Sequence, residues 1–158
     1  MNIISDIFHN HLIIAPVISW AVAQLIKIVL CFIKEKRLDM KLIVSDGGMP
    51  SAHSATVVSL AVMCGWTAGF DSAAFAIAMI VAIVIMRDAV GVRRDSGIIA
   101  AVVKALAKRT NKTGDGEPVT ADHLKDRAGH TPIQVACGCV TAIVVCIAYI
   151  LIGKIPMG

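Results

Sequence analysis

The chain has 158 residues, 57% of them hydrophobic and 16% charged, whereas soluble domains usually hold about 45–50% apolar residues. With a mean hydropathy of +0.79, this excess points to a membrane protein, and the length suits one compact domain over 1–158. The formal net charge of +4 comes with only 4% aromatic residues and no nucleic-acid-binding signature, so nucleic acid is not an expected partner.

The first apolar run covers 12–33, long enough for the roughly 20 helical residues that cross a hydrocarbon core. Ahead of it there is no basic stretch and no small-residue cleavage site, so this span is expected to be retained. It carries Gln24 and Lys27, three residues apart and therefore on one helix face. A lysine at that depth faces a bundle interior or a cavity, or else snorkels towards the nearby end at Lys34.

A charged segment from Lys34 to Lys41 leads into Asp46-Gly47-Gly48-Met49-Pro50-Ser51-Ala52-His53-Ser54, where the glycines and the proline mark a turn. Ser51 is the expected N-cap of the next helix, which puts His53 in its first turn. Runs at 55–70 and 73–86 read as a helical hairpin around Gly69-Phe70-Asp71-Ser72. The first of the two is short for a span. Arg87-Asp88 and, beyond Gly91, Arg93-Arg94 close the hairpin with charge.

From 98 to 109 the residues Ile98, Ile99, Val102, Val103 and Leu106 recur at helical spacing, opposite Lys104 and Lys108, as in an interfacial amphipathic helix. A polar loop at 110–127 follows. Thr131-Pro132-Ile133-Gln134 then has a capping threonine, proline at the first helical position and glutamine three residues after the cap, so a last helix is expected to start there and run over 133–152. His130 immediately precedes it. The five cysteines lie in or beside apolar runs without paired spacing and read as small packing residues.

These elements describe an all-α polytopic membrane bundle of about four transmembrane helices plus one short amphipathic helix. If the four runs alternate in direction, the His53, Arg93 and His130 segments meet at one end. That end also gathers most of the lysines and arginines, which makes it the cytoplasmic face.

Two histidines beside two helix N-termini suit a phosphate, because such termini offer unpaired N–H groups and about half a positive charge. Arg93 and Arg94 add guanidinium forks, Lys27 a point charge, and Asp88 a carboxylate able to accept from an imidazole and fix its tautomer. Phosphate-ester hydrolysis needs a nucleophile, an acid for the leaving oxygen and positive charge on the remaining oxygens, which this set supplies without a metal or cofactor. A metal bound by His53, His130 and Asp88 is the alternative, but no HExxH-like pair accompanies them. Each histidine also has a purely local role open to it, as a cap residue bonded to backbone.

The segments Gly47-Gly48-Met49-Pro50-Ser51-Ala52-His53-Ser54-Ala55, Asp88-Ala89-Val90-Gly91-Val92-Arg93-Arg94 and Gly129-His130-Thr131-Pro132 resemble those of the divergent PAP2 family, relatives of acid phosphatases and vanadium haloperoxidases. The resemblance covers about 24–138. It implies that His130 is the nucleophile, His53 the acid, and that Lys27, Ser51, Ala52, Arg93 and Arg94 hold the phosphate. Ala52 stands where the wider superfamily usually has glycine, and Gln134 where it has an aspartate that orients the nucleophile; Asp88 is the substitute expected here. The implied activity is a metal-independent lipid phosphatase acting through a phosphohistidine, with phosphatidylglycerophosphate the favoured substrate. The alternative is a non-catalytic binding or transport protein for a phosphorylated lipid. The expected partners are thus the membrane and that lipid, and so small a bundle is compatible with a homodimer.

Overall fold

A computed structural model describes residues 2–36, 48–113, 120–121, 124 and 129–158. Among these, every regular element is a helix: α1 (Ile3–Phe8), α2 (His11–Glu35), α3 (Ala52–Ala68), α4 (Ala73–Val90), α5 (Val92–Thr113) and α6 (Pro132–Gly153). Gly47, the side chain of Lys34 and most of the expected polar loop at 110–127 lie outside the described residues.

The helix starts follow from local chemistry. Asn10, Ser51, Ser72 and Thr131 each accept a hydrogen bond from a first-turn N–H of α2, α3, α4 and α6 respectively. At Thr131 the full capping box forms with Gln134, and Pro132 occupies the first turn, as its sequence predicts. At the other end of α2, Lys36 adopts a left-handed conformation and returns its N–H to the Phe32 carbonyl.

The helix α3 lies at the centre and packs against α2, α4 and α6. Its buried face is small and partly polar, with Ser54, Ala55, Ser59, Ala61, Cys64 and Gly65. Small side chains let helices approach closely where lipid removes the hydrophobic drive between them. The large apolar side chains point outward instead: Ile77, Ile80 and Val84 of α4 and Ile143, Val144, Ile147 and Leu151 of α6 are exposed. That distribution fits a bundle surrounded by hydrocarbon.

Three stretches are long and apolar enough to cross a membrane: His11–Ile33, a 40-residue stretch Ala73–Lys112 that joins α4 to α5, and Pro132–Gly153. The second expected span is the shorter apolar helix Ala52–Ala68. Its 17 residues extend about 25 Å, against roughly 30 Å of hydrocarbon. The short N-terminal helix α1, exposed along its length, has no apolar run to announce it.

At one end of the bundle the His11 Nδ1 and the Tyr149 hydroxyl are 2.9 Å apart, the Trp66 Nε1–H donates to the Ile155 carbonyl at 3.1 Å, and the Gly158 N–H donates to the Trp66 carbonyl at 2.9 Å. The start of α2 and the ends of α3 and α6 therefore share that end. The opposite end receives the start of α3, the α4–α5 junction and the start of α6.

Candidate active site

Four backbone approaches assemble the opposite end. The His130 N–H donates to the Ala89 carbonyl at 2.8 Å, fixing the entry to α6 against the last turn of α4. Gly129 has φ +85°, and a Cβ there would sit 2.3 Å from the Arg94 backbone nitrogen, so only glycine lets this strand of chain lie on the start of α5. The Ser51 N–H donates to the Gln134 carbonyl at 3.0 Å. One turn further along α6, a Cβ on Gly138 would come within 2.5 Å of the Ser51 carbonyl oxygen. The three segments expected to converge thus do so through main-chain contacts.

Within this frame the rings of His53 and His130 lie 6.1 Å apart, edge to face at 61°. His130 is 3% exposed and His53 half-buried. Ser51 is fully buried, and its Oγ accepts from the Ser54 N–H at 3.3 Å and the Ser54 hydroxyl at 3.0 Å, so its first task is to cap α3. Ala52 follows at the first helical position, its methyl packed with Ala23 and Ala55. Lys27 is buried at 4% exposure, and its aliphatic stem lies where a Cβ on Gly48 would be, 3.2 Å from Cδ. Gly48, just ahead of Ser51, therefore lies against the stem of the lysine, which faces the bundle interior and not lipid.

Two assignments change. Asp88, expected to hold an imidazole, instead accepts from the Arg93 Nε–H at 2.6 Å. The two residues face each other across the one-residue break at Gly91, whose N–H caps α4 on the Arg87 carbonyl. Asp88 is thus a partner of the arginine. A contact to the histidine comes from Gln134: its Oε1 lies 3.2 Å from His130 Nδ1 and also accepts from the Thr131 N–H at 3.0 Å. From sequence Gln134 stands at the position of the superfamily's orienting aspartate but was passed over for Asp88, because its place in the capping box already accounted for it. Its i+4 spacing from His130, on the face the capping box fixes, is the signal that favours it. Arg94 is exposed, with its main chain seated under Gly129.

The assembly brings two imidazoles, the N-termini of α3 and α6, a buried lysine and two arginines to one end of the bundle, a combination suited to a phosphoryl group. Among the described residues no three His, Cys, Asp or Glu side chains cluster as metal ligands.

The model of the divergent PAP2 family matches residues 8–145, which takes in every residue named above from Lys27 to Gly138. The chain is similar to the uncharacterized membrane protein YuiD of Bacillus subtilis strain 168, with 36% identity over 146 residues covering 87% of this chain and 92% of that protein. No solved structure matches. A family match over most of the chain, together with a similar membrane protein matched over nearly its whole length, makes this chain a member of the divergent PAP2 family.

Proposed function

We propose that the protein is a metal-independent phosphatase that hydrolyses a phosphomonoester or pyrophosphate of a membrane lipid. The observation that carries this reading is the pairing of His53 and His130, 6.1 Å apart at two helix N-termini. A nucleophile about 3–3.5 Å from phosphorus and an acid within about 2.6–3.2 Å of the leaving oxygen must lie on the order of 6–8 Å apart, a separation these rings can supply.

In the first step a ring nitrogen of His130 attacks phosphorus, the bond to the leaving oxygen breaks, and His53 gives that oxygen its proton. In the second, His53 takes a proton from water, which attacks the phosphohistidine, breaks the phosphorus–nitrogen bond and releases inorganic phosphate. Lys27, Arg93, Arg94, the Ser51 hydroxyl and the Ala52 N–H at the start of α3 hold the other phosphoryl oxygens, where they stabilise charge developing in the transition state.

The lipid character of the substrate is supported by an apolar groove of about 360 Å³ between α3 and α4. It is lined by Val58, Val62, Phe70, Met79 and Met86 among others. It reaches Met86, just before the Asp88 end, and suits one acyl or prenyl chain. The excess of basic residues around the site supports a cytoplasmic face, and hence phosphatidylglycerophosphate ahead of an exported pyrophosphate.

One observation favours a second reading, a binding or transport protein for the same lipids: the side chain set against His130 is a neutral amide, where hydrolysis of this kind usually employs a carboxylate. Phosphate release decides between the two. Purified protein in detergent, given phosphatidylglycerophosphate, phosphatidate and polyprenyl pyrophosphate with EDTA present, is expected to release phosphate from one of them, and His130→Ala to release none. Binding without release from any of the three would overturn the phosphatase in favour of the binding protein.

A further inference from the structure

Among the described helices α5 packs against α4 alone. Its start is seated where the Arg94 main chain lies under Gly129, and from Val92 it continues for 22 residues, about 33 Å. Ile98, Ile99, Val102, Val103 and Leu106 form one stripe along it, and all five are exposed, Ile99 by 62% and Val103 by 37%. Beside the stripe Lys104, Lys108 and Lys112 follow at intervals of four, which sets them in a row on a neighbouring face. The three lysines border a cavity of about 430 Å³ whose wall also includes Asn111 and Thr120.

Like charges four residues apart on a helix repel one another. From Lys104 to Lys112 the helix has no carboxylate, and Arg109 adds a fourth cation. An anion in the cavity relieves that repulsion, and ammonium, amide and hydroxyl groups can all donate to its oxygens. A soluble anion would satisfy the lysines but leave the apolar stripe in water. A neutral lipid would cover the stripe but leave the lysines facing one another. A phospholipid of net negative charge does both.

We propose that α5 carries a binding site for one anionic phospholipid, separate from the centre at His53 and His130, with the headgroup phosphate in the lysine-lined cavity and the chains along the stripe from Ile98 to Leu106. Lys104 comes ten residues after Arg94, about 15 Å further along the axis, so the lipid held here is not the one presented to His130. It fixes to the lipid surface the helix whose first turn supplies Arg93 and Arg94. Such a site is independent of any turnover at His130.

Native mass spectrometry of the full chain in neutral detergent counts bound molecules without need of activity. The protein is titrated with phosphatidylserine, with phosphatidylcholine of the same chains and with glycerophosphoserine, the first headgroup without its chains. The wild type is expected to hold one phosphatidylserine about 10- to 100-fold more tightly than phosphatidylcholine, since each lysine at a headgroup adds roughly a fivefold preference for negative charge. Glycerophosphoserine should bind at least about tenfold more weakly than the lipid, having no chains to bury. Lys104→Gln, Lys108→Gln and Lys112→Gln combined should bring the two lipids level, with helix propensity kept. Val102→Ser with Leu106→Ser should weaken both lipids alike, and Arg94→Ala should leave the preference intact.

Equal binding of the two lipids by the wild type would overturn the proposal. So would a preference that survives in the lysine variant, or one that disappears in Arg94→Ala and thereby belongs to the reaction centre. Glycerophosphoserine bound as tightly as the lipid would replace the lipid with a soluble anion, and a dimer that the serine variant dissociates would replace it with a second copy of the chain. Should the lysine variant fail to fold, the wild type still decides, because its preference must weaken as salt is raised and a preference indifferent to salt would contradict the assignment.

Discussion

At the scale of single residues, the charged side chains at the site carry unequal weight. The Asp88–Arg93 pair is partly exposed, with side chains 37% and 46% accessible, and exposed pairs contribute only about 0.2–1 kcal/mol. Asp88→Asn should therefore raise KM for the lipid phosphate by no more than about fivefold, and a larger loss would mean that Asp88 touches the reacting groups. A guanidinium that bonds a phosphoryl oxygen is worth more, about 1.5–3 kcal/mol, so Arg94→Ala should weaken binding on the order of 10- to 100-fold in a direct titration. The capping roles of Ser51 and Thr131 were legible in the sequence because a cap depends on residues within four positions of each other. The partner of His130 was not legible in the same way. Two acceptors, Asp88 and Gln134, were in reach along the chain, and choosing between them requires knowing that Arg93 turns back across Gly91 to take the first.

Among the elements, two of the limits read from hydropathy fell short of the true helices for one reason. The apolar run at 73–86 continues as helix through Arg87 and Asp88 to Val90, and the amphipathic stretch at 98–109 belongs to a helix from Val92 to Thr113. Hydropathy records where the surroundings stop being apolar, whereas a helix ends where its backbone hydrogen bonds do. The contact between α6 and the start of α3 gives a direct check. Gly138→Ala would gain about 1 kcal/mol of helix propensity, yet its Cβ would lie 2.5 Å from the Ser51 carbonyl oxygen and 2.9 Å from the Ser54 Cβ. Overpacking of this kind costs about 1–3 kcal/mol, and because the obstacle is backbone it does not swing aside. A lower thermal midpoint in detergent together with reduced turnover is expected; a more stable variant of full activity would show that α6 does not press on the Ser51 turn.

For the molecule as a whole, composition and the order of apolar runs were enough to establish a helical membrane bundle, and alternating helix directions were enough to bring three polar segments to one end. What they did not show is that the shortest helix, α3, sits in the middle, because centrality follows from a face of alanine, serine and glycine that hydropathy scarcely registers. The bundle is thereby held at one end by the Tyr149, Trp66 and Ile155 contacts and carries at the other the two histidines and their basic surroundings. A phosphatase built on this second end transfers a phosphoryl group to His130, an intermediate that can be trapped. Protein mixed with a lipid carrying a labelled terminal phosphoryl group, quenched in alkali within one turnover and digested, is predicted to yield an alkali-stable, acid-labile label on the peptide containing His130, and none in His130→Ala. Turnover that proceeds without label on that peptide, or with label on another residue, would contradict it.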